Sequence, residues 1–148
     1  MIYLASPYSH RDPVIRDQRY LAACRATVRL LLAGQTVFSP IVHGHALVAF
    51  GLPTDWEFWA RHDEQYLRRC QELIVLAIPG WDESEGVQNE IELAHKLGKV
   101  VRYYPESSLP GRDVGPVSPP ASQDAQSGQP APGRDVRQRD AIEKKGQG

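Results

Sequence analysis

The stretch LIVLAI, at residues 73–78, is apolar at every position. A strand that is apolar throughout is buried on both faces, which is typical of a central strand in a parallel sheet. Pro79 and Gly80 end the run, and a pattern with helical spacing of apolar residues follows at about 83–97. We therefore expect a strand followed by a helix at the centre of an α/β domain.

The segments on both sides continue this alternation of strand and helix. The predicted strands are 2–5, 36–38 and 99–104, and the predicted helices are about 14–33, 43–51 and 55–71. The order β-α-β-α-α-β-α-β predicts a Rossmann- or flavodoxin-like three-layer sandwich with a small parallel sheet of about four or five strands. Ligands bind beyond the carboxyl ends of the strands in such sheets. The corresponding loops are 6–11, 39–45 and 79–86.

Local signals refine the helices. Gly34 and Gly98 are placed to end two of them, and Asp82 and Glu85 have capping-box spacing before the last helix. The helical spacing of the first helix predicts a buried stripe of Tyr20, Cys24, Thr27, Val28 and Leu31.

The composition changes after Tyr104. All twelve aromatic residues lie at or before this position, whereas residues 105–148 contain seven Pro and six Gly. A segment of this composition buries too little apolar surface to offset its ordering entropy. We predict an α/β domain at 1–104 and a disordered tail at 105–148.

Charge and cysteine content exclude several classes of protein. The net charge is −1, so nothing draws the chain to a nucleic-acid polymer or an anionic membrane. No apolar run has the length of a membrane span, and the N-terminus lacks the basic region of a signal peptide. Two cysteines are too few for a disulfide scaffold or a CxxC zinc site. We expect a cytoplasmic protein without a metal or cofactor.

Two acidic residues occupy apolar helix faces. Glu90 falls on the stripe that would face the core of the last helix, and Asp63 lies in the middle of the aromatic stripe of the preceding helix. A buried carboxylate must be paired, neutral or at a cleft. One interpretation pairs Glu90 with Arg25 or Arg29. The other places both carboxyl groups in an active-site cleft suited to glycosyl transfer or hydrolysis.

Other polar and aromatic residues are candidates for binding. Ser84 stands at a helix start, where an anion is favoured, although a plain helix cap is the stronger interpretation of this residue taken alone. His43 and Trp59 are candidates for contact with a base, and an aromatic stripe is also typical of a core. The first loop offers further donors for an anion, namely Ser6, Ser9, His10 and Arg11.

Three motifs resemble the nucleoside 2-deoxyribosyltransferase superfamily, which includes the 2′-deoxynucleoside 5′-phosphate N-hydrolases. They are IYLASP at 2–7, Asp63 about ten residues before an apolar strand, and SEGVQNEIELAHKLGKVV at 84–101. The resemblance covers about residues 1–104. It implies the same α/β fold, a nucleoside or nucleotide substrate, and a homo-oligomer.

The resemblance also implies roles for individual residues. Glu90 corresponds to the nucleophile, Tyr3 to the tyrosine that orients it, and Asp63 to the aspartate that contacts the sugar or assists the departing base. Gly86 corresponds to the glycine that lets the substrate approach the helix. Ser84 matches the 5′-phosphate hydrolases, whereas the transferases have Asp there.

We therefore predict cleavage or exchange of the N-glycosidic bond of a (2′-deoxy)nucleoside or its 5′-monophosphate through a glycosyl-Glu90 intermediate. Hydrolysis and transfer share this intermediate and differ only in the acceptor, so the sequence leaves both open. The alternatives are a nucleotide-binding sensor without catalysis and a glycohydrolase of a dinucleotide such as NAD.

Overall fold

The computed structural model describes residues 1–112, and strands and helices alternate along this part of the chain. The predicted order of elements is confirmed, and a 3₁₀ helix follows at Glu106–Ser108. No helix within these residues is long and apolar enough to cross a membrane. The elements are β1 (Ile2–Ala5), α1 (Pro13–Leu32), β2 (Val37–Phe38), α2 (Pro40–Val48), α3 (Trp56–Arg69), β3 (Glu72–Leu76), α4 (Glu85–Lys96) and β4 (Val100–Tyr104).

The four strands of residues 1–112 form one parallel sheet in the order β2-β1-β3-β4. Ala5 of β1 lies opposite Val75 of β3, and Val75 lies opposite Tyr103 of β4. β3 thus has a neighbour on each side, as its continuous apolar run predicts. The chain is an α/β protein of the Rossmann- or flavodoxin-like type.

Alternate residues of the inner strands face two separate cores. Leu4 and Ile74 pack on the side of α1, whereas Tyr3 and Val75 pack on the side of α3 and α4. The sheet is therefore the middle of three layers, and Tyr3 points to the same side as α4.

A crevice is expected between β1 and β3. The chain continues from β1 to β2, at one edge of the sheet, and from β3 to β4, at the opposite edge. The two connections diverge beyond the carboxyl ends of these strands, which is where α/β sheets bind ligands.

The predicted buried stripe of α1 is wrong. Val28 is 39% and Leu31 53% exposed, and the helix instead buries Ala22, Ala26 and Leu30 against the sheet. Apolar residues occur on both sides of α1, so helical spacing alone does not select the packed face. The small alanines let this helix lie close to the sheet.

Capping side chains set the helix starts. Ser39 Oγ accepts from the Val42 amide at 3.4 Å, so α2 begins at Pro40, earlier than predicted. Ser84 Oγ accepts from the Val87 amide at 3.5 Å and caps α4, so the predicted capping box of Asp82 and Glu85 is wrong. A serine at the N-cap satisfies an amide that the helix leaves free.

The packed chain continues past Tyr104, where the predicted domain ends. Leu109 is buried among the core residues of α1, and the Arg29 guanidinium donates to the carbonyl oxygens of Glu106, Ser107 and Leu109. These contacts attach residues 105–109 to α1. The remainder of the predicted tail, 113–148, lies outside the described residues.

Candidate active site

A cavity of about 360 Å³ lies beyond the carboxyl ends of β1 and β3. α2, α3 and the start of α4 form its walls, and both acidic residues predicted to lie at a cleft line it. The residues that line it include Ser6, Tyr8, Ser9, His45, Asp55, Trp56, Trp59, Asp63, Glu83, Ser84, Glu85, Gly86 and Glu90.

Glu90 reaches the cavity from the buried face of α4 and is 6% exposed. The hydroxyl of Tyr3, on β1, donates to Glu90 Oε1 at 2.6 Å. The alternative pairing with arginine is wrong, because Arg25 pairs with Glu106 and Arg29 binds backbone carbonyls. The carboxyl group thus has one hydrogen-bonded neighbour that orients it and an open cavity beside it.

The environment of Glu90 favours its protonated form. Burial raises its pKa to about 8, and the negative charge of Asp63 acts in the same direction. The hydrogen bond from Tyr3 opposes this effect because it stabilises the carboxylate. Removal from water therefore dominates, as is common for acidic groups in active sites.

Asp63 lines the cavity from α3 and is 5% exposed. Burial raises its pKa, while a hydrogen bond between His62 Nδ1 and Asp63 Oδ1 at 3.0 Å lowers it. The charge of His43 also favours the ionised form. Two buried carboxyl groups with different partners therefore meet at one cavity, and the histidines make Asp63 the readier of the two to ionise.

Sequence reasoning missed His62 and the contacts of Tyr8. The Tyr8 hydroxyl and His45 Nδ1 are 2.9 Å apart, and the His45 ring stacks on Tyr20 at 3.8 Å between centroids. Burial lowers the pKa of His45, so its ring is neutral at physiological pH. Adjacency to Asp63 was the available signal for His62, whereas residues 8 and 45 are brought together only by the fold.

The start of α4 forms one edge of the cavity. Ser84 lines it while its hydroxyl caps the helix, so the predicted cap is observed at a residue that also borders the cavity. Gly86 lies beneath the Trp56 ring, where an added Cβ would meet the ring at 3.6 Å. Trp59 lines the opposite region, its indole N–H donating to the Pro53 carbonyl at 2.7 Å.

The first loop divides between cavity and surface. Ser6 and Ser9 line the cavity, whereas His10 and Arg11 are exposed and lie outside it. The reason is a local turn, in which the Asp12 amide donates to His10 Nδ1 at 3.0 Å as Asp12 caps α1.

His43 also lies outside the cavity lining. Its ring stacks on that of His62 at 5.4 Å between centroids, and His62 does not line the cavity either. His43 acts on the site through its charge, which favours the ionised form of Asp63.

A known family matches most of the described part of the chain. The family described as a domain of unknown function, DUF1937, matches residues 1–106. The chain belongs to this family. No curated protein matches the chain.

The matched region contains the whole candidate site of this DUF1937 chain. Within residues 1–112, no three His, Cys, Asp or Glu side chains are arranged to hold a metal ion. The chemistry that the residues offer is that of two carboxyl groups, one held by a tyrosine and one by a histidine. Such a pair can attack an electrophilic carbon and handle the protons of the reaction.

Proposed function

We propose that this chain cleaves the N-glycosidic bond of a nucleoside or nucleoside 5′-monophosphate, or exchanges its base, through a glycosyl ester on Glu90. The observation that carries the proposal is the Glu90 carboxyl group, buried at the cavity wall and held by Tyr3 at 2.6 Å. A carboxylate fixed by one partner and open to a cavity suits attack at a sugar carbon.

The reaction would proceed in two steps. One Glu90 oxygen forms a bond to C1′, the C1′–N bond breaks, and its electron pair leaves with the base. Water, or a second base in the exchange reaction, then attacks C1′ and restores the Glu90 carboxylate. Asp63 lines the same cavity, where it would contact the sugar and accept the proton of the attacking water.

The size of the cavity suits a nucleoside. Its volume of about 360 Å³ lies near the lower end of ligand pockets, which favours one nucleoside over a dinucleotide. Trp56 and Trp59 line the cavity, and indole rings are side chains on which a base stacks.

A binding module without catalysis is the second candidate. The pKa of Glu90, about 8, favours it, because a protonated carboxyl group donates a hydrogen bond to a ligand but is a poor nucleophile. Binding of a nucleoside by calorimetry with no release of base would support this function instead.

Exposed apolar residues support an oligomer as part of the same proposal. Phe50 is 86% exposed just after α2, and Phe58 at the start of α3 is also exposed. An interface between copies of the chain would cover such side chains. Sedimentation of the wild type and of Phe50→Ser would show whether this segment is the interface.

The decisive experiment measures base release and the covalent intermediate. Nucleosides and their 5′-phosphates, in ribo and 2′-deoxy forms, are incubated with the protein and assayed for free base by chromatography. Glu90→Ala is expected to abolish release, whereas Glu92→Gln on the exposed face of the same helix retains it. Acid quench and mass spectrometry should find the sugar on a peptide containing Glu90.

Retained turnover by a folded Glu90→Ala protein would refute the proposal. Circular dichroism of the variant shows whether the domain is folded. If Glu90→Ala has a lower melting temperature than the wild type and the wild type releases base from none of the compounds, Glu90 has a structural role.

A further inference from the structure

We propose that the substrate of this site is an N-glycoside with a positively charged base and no phosphate group, such as a pyridinium or N-alkylated purine nucleoside. This inference rests on the proposed N-glycosidic function and narrows its substrate class. It is carried by the charges, the two tryptophans and an unpartnered hydroxyl at the cavity.

The cavity wall is strongly acidic. No lysine or arginine of residues 1–112 lines it, and the His45 ring, which does, is neutral. A phosphate would enter this field against repulsion, whereas a cation is attracted to it. Apart from Glu90, which is protonated near neutral pH, the carboxyl groups that line the cavity belong to Asp55, Asp63, Glu83 and Glu85.

A buried hydroxyl next to the cavity lacks a hydrogen-bond partner in the described part of the chain. Ser6 is 5% exposed and lines the cavity, and its Oγ has no hydrogen-bond partner within residues 1–112. A buried hydroxyl without a partner is costly, and a ligand group can satisfy it. A sugar hydroxyl provides such a group without adding negative charge.

Two tryptophan rings border the acidic cavity. Trp56 lies against the start of α4 at Gly86, and Trp59 lines the cavity from α3. The face of an indole ring attracts a cation, and it does so more strongly when water is excluded. A flat cationic ring combines this attraction with stacking, so it fits the wall better than a neutral base does.

The protonation of the two carboxyl groups also favours a cationic base. Burial raises the pKa of both carboxyl groups, but His62 and His43 oppose this rise at Asp63, whereas the charge of Asp63 adds to it at Glu90. Asp63 has therefore already lost its proton when Glu90 becomes a nucleophile. A neutral leaving base would lack a proton donor, whereas a cationic base needs none.

The reaction balances without a donor. As the C1′–Glu90 bond forms, the C1′–N electron pair neutralises the positive charge on the ring nitrogen, and the base leaves uncharged. Water then attacks C1′, the ester oxygen returns to Glu90 as carboxylate, and the water proton passes through Asp63 to solvent. Each hydrolytic turnover releases one proton, which a pH indicator detects.

The test uses three pyridinium nucleosides that share one type of leaving group. Nicotinamide riboside has a charge of +1, nicotinic acid riboside has no net charge, and nicotinamide mononucleotide adds a 5′-phosphate. Inosine supplies a neutral base, and each compound is assayed in ribo and 2′-deoxy form. Rates are taken relative to the reaction without protein, because pyridinium nucleosides also cleave spontaneously.

We expect kcat/KM to fall in the order nicotinamide riboside, nicotinic acid riboside, nicotinamide mononucleotide. In the double variant Glu83→Gln/Glu85→Gln, kcat/KM for nicotinamide riboside divided by kcat/KM for nicotinic acid riboside should fall about fivefold, because two carboxylates at the cavity are removed. High salt should reduce the same ratio. Glu92→Gln removes one exposed carboxylate from the same helix and controls for a change of charge outside the cavity.

Two results would overturn the inference while leaving the proposed function intact. One is faster turnover of the mononucleotide or of inosine than of nicotinamide riboside, and the other is an unchanged ratio in the double variant. Absence of base release from every compound would overturn the proposed function as well.

Discussion

Replacement of Glu90 by Gln should stabilise the protein, and the gain should grow with pH. A glutamate with an ordinary pKa of 4.5 has a pKa of about 8 at this position. Between these values the folded protein keeps a proton that the unfolded chain has lost. The wild type therefore loses stability as pH rises through this interval. Glutamine carries no such proton and is free of this loss.

The size of the effect follows from the pKa difference. Each pKa unit corresponds to about 1.36 kcal/mol. Over the three pH units from 5 to 8, the free energy of unfolding of Glu90→Gln should rise relative to wild type by roughly 4 kcal/mol. Glutamine retains an oxygen that accepts from Tyr3, so loss of that hydrogen bond should not mask the trend.

The assay is urea unfolding at several pH values, followed by the fluorescence of the three tryptophans. The difference between the urea midpoints of variant and wild type should grow by roughly 2 M from pH 5 to pH 8. Histidines titrate in both proteins, so their direct contribution cancels in the comparison. Glu92→Gln is the matched control, because Glu92 is exposed and its neighbour Lys96 lowers its pKa.

A difference that does not change with pH would refute this reasoning. It would mean that Glu90 is ionised at neutral pH in the folded protein, and that water or another group compensates for its burial. A gain in stability accompanied by loss of base release would instead indicate that stability is given up for function at this position.

Three further changes test neighbouring contacts. Tyr3→Phe should reduce the rate of base release by roughly 10- to 100-fold. It should also shift the pH–rate profile to higher pH, because the hydrogen bond that lowers the pKa of Glu90 is lost; an unshifted profile would contradict this. Arg29→Met should cost about 2–4 kcal/mol in urea unfolding, because the carbonyls of residues 106, 107 and 109 lose their donor. The partly exposed ion pair lost in Arg25→Met should cost under about 1 kcal/mol, and equal costs would contradict the packing of this segment. Ser6→Ala should raise stability by about 1 kcal/mol and raise KM several-fold, because its hydroxyl lacks a partner within residues 1–112; an unchanged KM would mean that the hydroxyl does not meet substrate.

The alternation of elements and the central strand could be predicted because each depends on local pattern. The run at 73–78 is apolar on both sides, and only a strand between two neighbours buries both sides. The buried position of Glu90 follows in the same way from helical spacing. The packed face of α1 could not be predicted, because apolar residues on both sides of the helix make its spacing ambiguous.

The candidate site divides along the same line. The loops that contribute Ser6, Ser9 and Ser84 could be predicted from the rule that ligands bind at the carboxyl ends of parallel strands. The turn at Asp12, which takes His10 and Arg11 out of the cavity, depends on backbone geometry that the residue types do not reveal.

By itself the sequence determined a parallel α/β domain and placed two acidic residues on apolar helix faces, since both properties follow from periodicity along the chain. Periodicity does not pair Tyr3 with Glu90, 87 residues away; the resemblance implied that pair, and the tertiary structure shows the hydrogen bond and shows Arg29 bound to backbone carbonyls instead. Hydrogen-bond partners depend on which surfaces meet in space, and packing of the sheet against its helices settles that.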